Sequence, residues 1–235
     1  MLYIFKNRIW FVFLFFTQVV IDILVKINVS GFSYRYLSKP PILLFLLGYY
    51  YVNNNEKVKK NKIWMYTSLS LFFIGDLAMI LHDKFIFLFF SISIFSLAKV
   101  FLCFRFNPKH DFNISRLFPL SIFMFFYLIV IVNVVYENLG SLLIPSIMSF
   151  FLTLLLFQFA FLRQSAFNRS SYLSLLIGVI LYILSESIMA IEVFKIEFPF
   201  NTVLIPLLYY SALLLIVKGS ISEVEDVDKN YTNFY

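Results

Sequence analysis

The stretch Ile63–Leu81, IWMYTSLSLFFIGDLAMIL, decides the class of this protein. Its residues are almost entirely apolar, yet Asp76 stands at the fourteenth position. An apolar run of about 17–25 residues is what an α-helix needs to cross about 30 Å of hydrocarbon. A charged side chain inside such a run costs about 2.5–3.5 kcal/mol at mid-helix, so it is normally functional. The stretch therefore predicts a membrane span and, at Asp76, a place for chemistry.

The rest of the chain repeats this apolar character. Of 235 residues, 61% are hydrophobic and 14% are charged, which is more apolar surface than a soluble globule of this size can bury. Eight runs are candidates for spans: Ile9–Ile27, Leu37–Val52, Ile63–Leu81, Phe85–Phe104, Leu117–Tyr136, Leu142–Leu162, Tyr172–Phe194 and Thr202–Val217. The sequence predicts an all-α integral membrane bundle of eight transmembrane helices, forming a single domain over residues 1–220.

Loop charge predicts the orientation of this bundle. Thirteen of the 19 basic residues fall in the termini and the even-numbered loops: Lys6, Arg8, Lys57, Lys59, Lys60, Lys62, Arg105, Lys109, Arg116, Arg163, Arg169, Lys218 and Lys229. Five lie on the opposite side: Lys26, Arg35, Lys39, Lys84 and Lys195. The positive-inside rule therefore predicts that both termini are cytoplasmic, in a multi-pass protein of the cell (inner) membrane. Residues 221–235, with Glu223, Glu225, Asp226 and Asp228, are expected to form an acidic, solvated and disordered tail.

Several function classes are disfavoured by composition. The basic residues are scattered between apolar runs, which argues against a nucleic-acid partner. Cys103 is the single cysteine, so neither an internal disulfide framework nor a thiolate zinc site is expected. The two histidines, His82 and His110, both flank loops, and no metal or cofactor is predicted. No Gly-x-Ser-x-Gly or His-Glu-x-x-His motif occurs in the sequence.

Once the charges near the span ends are set aside, four ionisable residues remain inside the spans: Asp22, Asp76, Lys99 and Glu186. At about 1.5 Å per residue, the three carboxyls lie about 20 Å from the cytoplasmic face, in one layer of the outer half of the membrane. Lys99 is expected about 10 Å below that layer, so that a direct ion pair with Asp76 would need a tilted helix or a long reach.

Polar residues of the neighbouring spans fall near the same layer. The Tyr209–Tyr210 pair reaches a similar depth, and Lys39 lies above it at the outer end of the second span. Simpler interpretations stay open: Asp22 could pair with Lys26 at i,i+4, and Asp76 and Glu186 could be polar contacts that hold helices together.

Four short motifs also resemble a known family of multi-pass membrane proteins, the YhhN/lysoplasmalogenase family. They are Lys39-Pro40, then Gly75-Asp76 followed by an apolar run and Phe85, then Leu184-Ser185-Glu186-Ser187-x-x-Ala190-x-x-x-Phe194, and finally Tyr209-Tyr210-x-Ala212-x-Leu214-Leu215. The resemblance runs from about Leu37 to Gly219 and implies the same eight-span layout. It departs from the family pattern at four places: Lys99 replaces a His, Leu102 a Tyr, Glu186 an Asp and Leu213 a Gln.

The resemblance implies hydrolysis of the vinyl ether of lysoplasmalogens, giving a fatty aldehyde and a glycerophospho-base. Such a reaction needs a general acid, a negative charge beside the developing cation and a positioned water, which two carboxyls can supply. Asp76 and Glu186 are the expected catalytic pair, and no cofactor is implied.

Four further residues, Lys39, Tyr209, Tyr210 and Lys99, are expected to bind the lysophospholipid substrate. Lys39 would suit the lipid phosphate, and Tyr209 or Tyr210 could orient water. Lys99 is also expected to belong to the substrate-binding residues. Membrane lipid is the other expected partner of the protein. Two alternatives stay open: a small transporter or lipid- or ion-binding protein that uses its buried carboxylates, and a family member that has lost catalysis.

Overall fold

The described residues form helices joined by short connections. The computed structural model describes residues 2–29, 32–54, 56, 58–107, 114–165, 167–196 and 200–223. The α-helices are α1 (Leu2–Lys6), α2 (Arg8–Asn28), α3 (Phe32–Ser38), α4 (Pro40–Asn53), α5 (Lys59–Ala78), α6 (Phe85–Phe106), α7 (Ile114–Leu139), α8 (Leu143–Leu162), α9 (Arg169–Phe194) and α10 (Asn201–Ile221). Single 3₁₀ turns over Met79–Leu81, Gly140–Leu142 and Arg163–Ser165 follow α5, α7 and α8.

A long helix lies over each of the eight predicted runs. Hydrocarbon offers the backbone no hydrogen-bond partners, so a spanning segment must satisfy its own amides and carbonyls, as a helix does. Six segments are long and apolar enough to cross a membrane, and one of them, Leu117–Leu162, contains both α7 and α8. The protein is therefore an integral, multi-pass membrane protein. Among the eight, α4 is the shortest, at 14 residues.

Local sequence explains where two of these helices begin. The side chain of Asn7 accepts hydrogen bonds from the amides of Ile9 and Trp10, which caps the start of α2. Pro40 and Pro41 occupy the first turn of α4, where the missing N–H has no helical partner to lose. The predicted second run therefore starts three residues too early, and α3 precedes it as a separate short helix.

Close backbone contact joins α9 to α10, the most extensively packed helix pair. A Cβ added at Gly178 would lie 3.0 Å from the carbonyl oxygen of Ala212, and one added at Gly219 would lie 2.7 Å from Leu175 Cγ. The Ser171 hydroxyl donates to the Gly219 carbonyl at 2.7 Å. Small residues at such positions let membrane helices approach closely enough for dispersion and hydrogen bonding to hold them.

Four charged side chains meet at one end of the bundle, and we refer to them as the ion cluster: Glu56, Arg105, Arg163 and Glu223. Arg105 pairs with both Glu56 and Glu223, and Arg163 pairs with Glu223. Both arginines are buried. The cluster thus links the α4–α5 connection to the ends of α6, α8 and α10.

The ion cluster corrects the interpretation of Glu223 as part of a solvated tail. Its carboxylate is held between two guanidinium groups that sequence reasoning counted only as loop charge. Residue 221 of the predicted tail ends α10, and residues 224–235, with Glu225, Asp226 and Asp228, lie outside the described residues. The same holds for Lys57, Lys109, His110 and Lys229.

Enlarging Gly178 should separate α9 from α10. We expect Gly178→Leu to lower the stability of the purified protein by about 1–3 kcal/mol, because overpacking forces the two backbones apart. Thermal unfolding in detergent micelles is the measurement. Ile177→Phe is the matched control, since it enlarges the adjacent residue, which is 47% exposed. Equal loss in both variants would contradict the close-packing explanation.

Candidate functional site

A cavity of about 480 Å³ opens near the end of the bundle opposite the ion cluster, where α5 meets α6 and α9 meets α10. We call it the polar cavity. Its wall includes six of the polar residues singled out in the sequence: Asp22, Lys39, Asp76, Glu186, Tyr209 and Tyr210. The carboxyls that were expected in one layer thus share one cavity.

Asp76 lies in the last turn of α5 and is buried. Lys39, at the start of α4, places its Nζ 3.4 Å from Asp76 Oδ1 and donates to the Asp76 main-chain carbonyl at 3.2 Å. The Tyr210 hydroxyl of α10 donates to Asp76 Oδ2 at 3.0 Å. The preceding Gly75 allows the Phe95 ring to lie against the α5 backbone, since an added Cβ would come within 2.6 Å of that ring. Contacts from α4, α6 and α10 therefore fix the position of Asp76 on α5.

Glu186 forms the second polar centre, on α9. Lys99 of α6 forms an ion pair with its carboxylate, and two hydroxyls of α8 donate to it, Ser149 at 2.8 Å and Thr153. The Lys99 ammonium is fully buried and also donates to the Ser149 carbonyl and hydroxyl, at 3.0 and 2.6 Å. Among the described residues, each hydrogen bond to the Glu186 carboxylate comes from a donor group, as a negatively charged carboxylate requires.

This pairing corrects the expected position of Lys99. The sequence placed its side chain well below the carboxyl layer, but its ammonium lies at the layer and bonds Glu186 rather than Asp76. Counting residues along a helix gives the depth of the backbone, whereas a lysine side chain extends far beyond it.

Two departures from the family pattern are therefore in contact. Lys99 and Glu186 were both noted as departures when the motifs were compared, and their two side chains bond each other. The other two departures, Leu102 and Leu213, are buried in the apolar core and do not line the polar cavity.

Asp22 has a different partner from the one considered in the sequence. Its Oδ1 accepts the Ser38 hydroxyl at 2.6 Å, and Gln18 of the same helix donates to the Ser38 carbonyl at 2.8 Å. These bonds connect α2 to the end of α3. No ion pair within 4 Å joins Asp22 to Lys26 among the described residues, although the Asp22 charge acts on Lys26.

Aromatic side chains occupy the space between the two polar centres. Tyr182 and Tyr209 have their ring centroids 6.0 Å apart, and Phe72 packs edge-on against both. Tyr182 is within electrostatic range of Asp76 and of Glu186, and the Lys99 ammonium lies 5.5 Å from its ring centroid. The Tyr209 hydroxyl is buried and interacts with the Asp76 carboxylate.

Sequence reasoning missed several residues of this site. Lys26 and Arg35 also line the polar cavity and add positive charge beside Lys39. Arg35 was counted only as a loop charge and Lys26 only as a loop charge and a partner of Asp22, and no motif marks either residue. Ser149 and Thr153 were missed as well, although their i,i+4 spacing on an apolar helix places both hydroxyls on one face.

The ion pair of Lys99 and Glu186 should show strong energetic coupling. We expect Lys99→Met alone to destabilise the protein by about 3–5 kcal/mol, because it leaves a buried carboxylate without its cation. The double variant Lys99→Met/Glu186→Met should regain much of that stability, since both charges are then gone. Thermal unfolding of the wild type, both single variants and the double variant is the measurement. Additive losses would contradict a direct pair.

Comparison with known proteins is consistent with the motifs. The profile of the YhhN family matches residues 34–220, which include Lys39, Asp76, Lys99, Glu186 and Tyr210. No curated protein and no solved structure matches the chain. Because the profile match covers most of the sequence, the resemblance is confirmed, and this protein belongs to the YhhN family.

Proposed function

We propose that the protein is a membrane-embedded hydrolase of the lysoplasmalogenase type, which cleaves the vinyl ether bond of a lysoplasmalogen. The observation that carries the proposal is the polar cavity itself, which two carboxyls on different helices, Asp76 and Glu186, both line. Membership of the YhhN family is compatible with this activity. The cavity volume of about 480 Å³ falls within the range of small-molecule sites.

The chemistry starts with protonation of the carbon–carbon double bond at the carbon farther from the ether oxygen. The electron pair of the double bond forms the new C–H bond, and the adjacent carbon becomes an oxocarbenium ion. Water then adds to that carbon and loses a proton, which gives a hemiacetal. When the hemiacetal C–O bond breaks, the hydroxyl loses its proton, the glycerol oxygen gains one, and the fatty aldehyde leaves with no net change in protons.

Glu186 is assigned the role of stabilising the cation. Its carboxylate accepts hydrogen bonds from Lys99, Ser149 and Thr153, which fix its position. A fixed negative charge in a water-poor site is most effective where positive charge develops only in the transition state.

Asp76 is assigned the role of the acid that protonates the double bond and later accepts a proton from water. Lys39, Lys26 and Arg35 line the same cavity and are suited to the substrate phosphate. With Lys39 drawn to that phosphate, Asp76 no longer has a cation beside it and can carry the proton. Tyr210, which donates to Asp76, and Tyr209, which is buried beside it, can position the water.

The orientation of the chain belongs to the same proposal. Eight spans with both termini in the cytoplasm would place the mouth of the polar cavity on the outer side of the cell membrane, and the ion cluster on the cytoplasmic side.

Neutralising either carboxyl should abolish most of the activity. We expect Asp76→Asn and Glu186→Gln each to slow aldehyde release from lysoplasmalogen by on the order of 10²–10⁴-fold, the usual contribution of acid–base groups. The assay uses purified protein in micelles, with thermal unfolding as the check of folding.

Glu192→Gln is the matched control for this experiment. Glu192 lines the same cavity on the same helix as Glu186, and its carboxylate accepts a hydrogen bond from Asn201. It should retain near wild-type activity. Equal activity in all variants would contradict the two-carboxyl mechanism. A folded wild type that releases no aldehyde from vinyl-ether lysolipids would contradict the hydrolase itself, in favour of a binding or transport role or an inactive family member.

A further inference from the structure

Two further cavities adjoin the polar cavity on the side of Glu186. The first, which we call the junction, is a space of about 10 Å³ between α7, α8 and α9. It shares Phe150 and Glu186 with the polar cavity. The second, the α7–α8 groove, measures about 540 Å³ and shares Leu128 and Leu154 with the junction. The three spaces thus follow one another from the polar centre to the outside of the bundle.

The lining of the α7–α8 groove is apolar. Phenylalanines and aliphatic side chains of Phe118–Ile129 on α7 and Phe151–Gln158 on α8 form its walls. Its two polar side chains, Gln158 and Ser121, hydrogen-bond each other at 3.1 Å. At about 1.5 Å per residue, the groove extends about 16 Å along α7, away from the end where the polar cavity opens.

We propose that the α7–α8 groove and the junction hold the hydrocarbon chain of the substrate. This inference rests on the proposed function, in which the reacting carbons are the first two of that chain and lie at Glu186. A chain that starts there must leave the polar cavity through an apolar exit. The junction borders the Glu186 carboxylate and leads into the groove, whose surface matches a single fatty chain and offers nothing to a headgroup.

The junction must widen for a chain to pass. A space of about 10 Å³ holds at most one water molecule. The side chains at its narrow point, Phe150, Leu154 and Ile183, can change rotamer without breaking a hydrogen bond. Helix α7 is well placed to yield, because it packs far less extensively on the bundle than α9 and α10 pack on each other. Near the junction, the Tyr127 hydroxyl contacts that of Ser187 and ties α7 to α9.

A photoreactive lysolipid can test this path without depending on catalysis. The probe is an alkyl-ether lysolipid, which has no vinyl ether to cleave, with a diazirine at the end of its chain. After illumination in bilayers, adducts located by mass spectrometry should concentrate on residues 118–129 and 151–158. Excess unlabelled lysolipid should reduce them. Adducts spread evenly over the exposed apolar faces, or insensitive to competition, would overturn the proposal, since they would reflect bulk lipid only.

A matched pair of substitutions locates the passage. Ile183→Trp fills the junction, whereas Leu184→Trp places the same ring one residue away, at a position that is 45% exposed. We expect Ile183→Trp to reduce labelling of the groove severalfold and Leu184→Trp to leave it unchanged. In the turnover assay, Ile183→Trp should lower the rate of aldehyde release from long-chain vinyl-ether lysolipids severalfold. The rate with a short-chain analogue should be unchanged, which also shows that the variant is folded.

These outcomes separate the two proposals. Groove labelling by the probe together with no aldehyde release would refute the hydrolase and keep the groove as a site for lipid chains. The opposite result is aldehyde release that depends equally on chain length in both tryptophan variants, without preferential labelling of the groove. It would support the hydrolase and refute the path of the hydrocarbon chain through the junction.

Discussion

Hydrocarbon does not solvate charge, so each ionised group between the helices must find its partner on another helix. Glu186 of α9 pairs with Lys99 of α6 and accepts hydrogen bonds from hydroxyls of α8. Asp76 of α5 pairs with Lys39 at the start of α4 and accepts a hydrogen bond from Tyr210 of α10. These bonds fix the relative positions of the helices and build the polar cavity at the same time. The fold and the site therefore depend on the same few contacts, and a change in one charge affects both.

Buried ion pairs are a poor means of stabilising a bundle. Their desolvation cost often equals or exceeds the attraction, and apolar side chains of the same volume would serve at least as well. Stability in this chain is better attributed to close packing, as between α9 and α10 at Gly178 and Gly219. The polar pairs around the cavity are thus more easily explained by chemistry than by folding. Lys99 and Glu186 illustrate this, since a buried cation and a carboxylate pair beside the cavity.

Much of the fold could be predicted from the sequence, because hydrocarbon restricts a spanning segment to one backbone structure. Long apolar runs gave the helices, and Pro40–Pro41 explained the start of α4. The acidic residues of the site could also be found, since a carboxyl in an apolar run stands out. The residues that pair with these carboxyls could not be predicted from the sequence. The reach of Lys99, the short helix α3 that carries Arg35, and the pairing of Arg105 with Glu223 depend on how helices pack, which no local pattern contains.

The ion cluster at the opposite end bears on where the folded unit begins and ends. The family match covers residues 34–220, yet Glu223, which neutralises Arg105 and Arg163, lies beyond it. At the other end, α2 contributes Asp22 and Lys26 to the wall of the cavity and also lies outside the match. A chain trimmed to the matched stretch would lose one wall of its cavity, leave the buried guanidinium group of Arg163 without its ion pair, and leave Arg105 with Glu56 alone. The folded protein therefore depends on residues that lie on both sides of the stretch matched by the family profile.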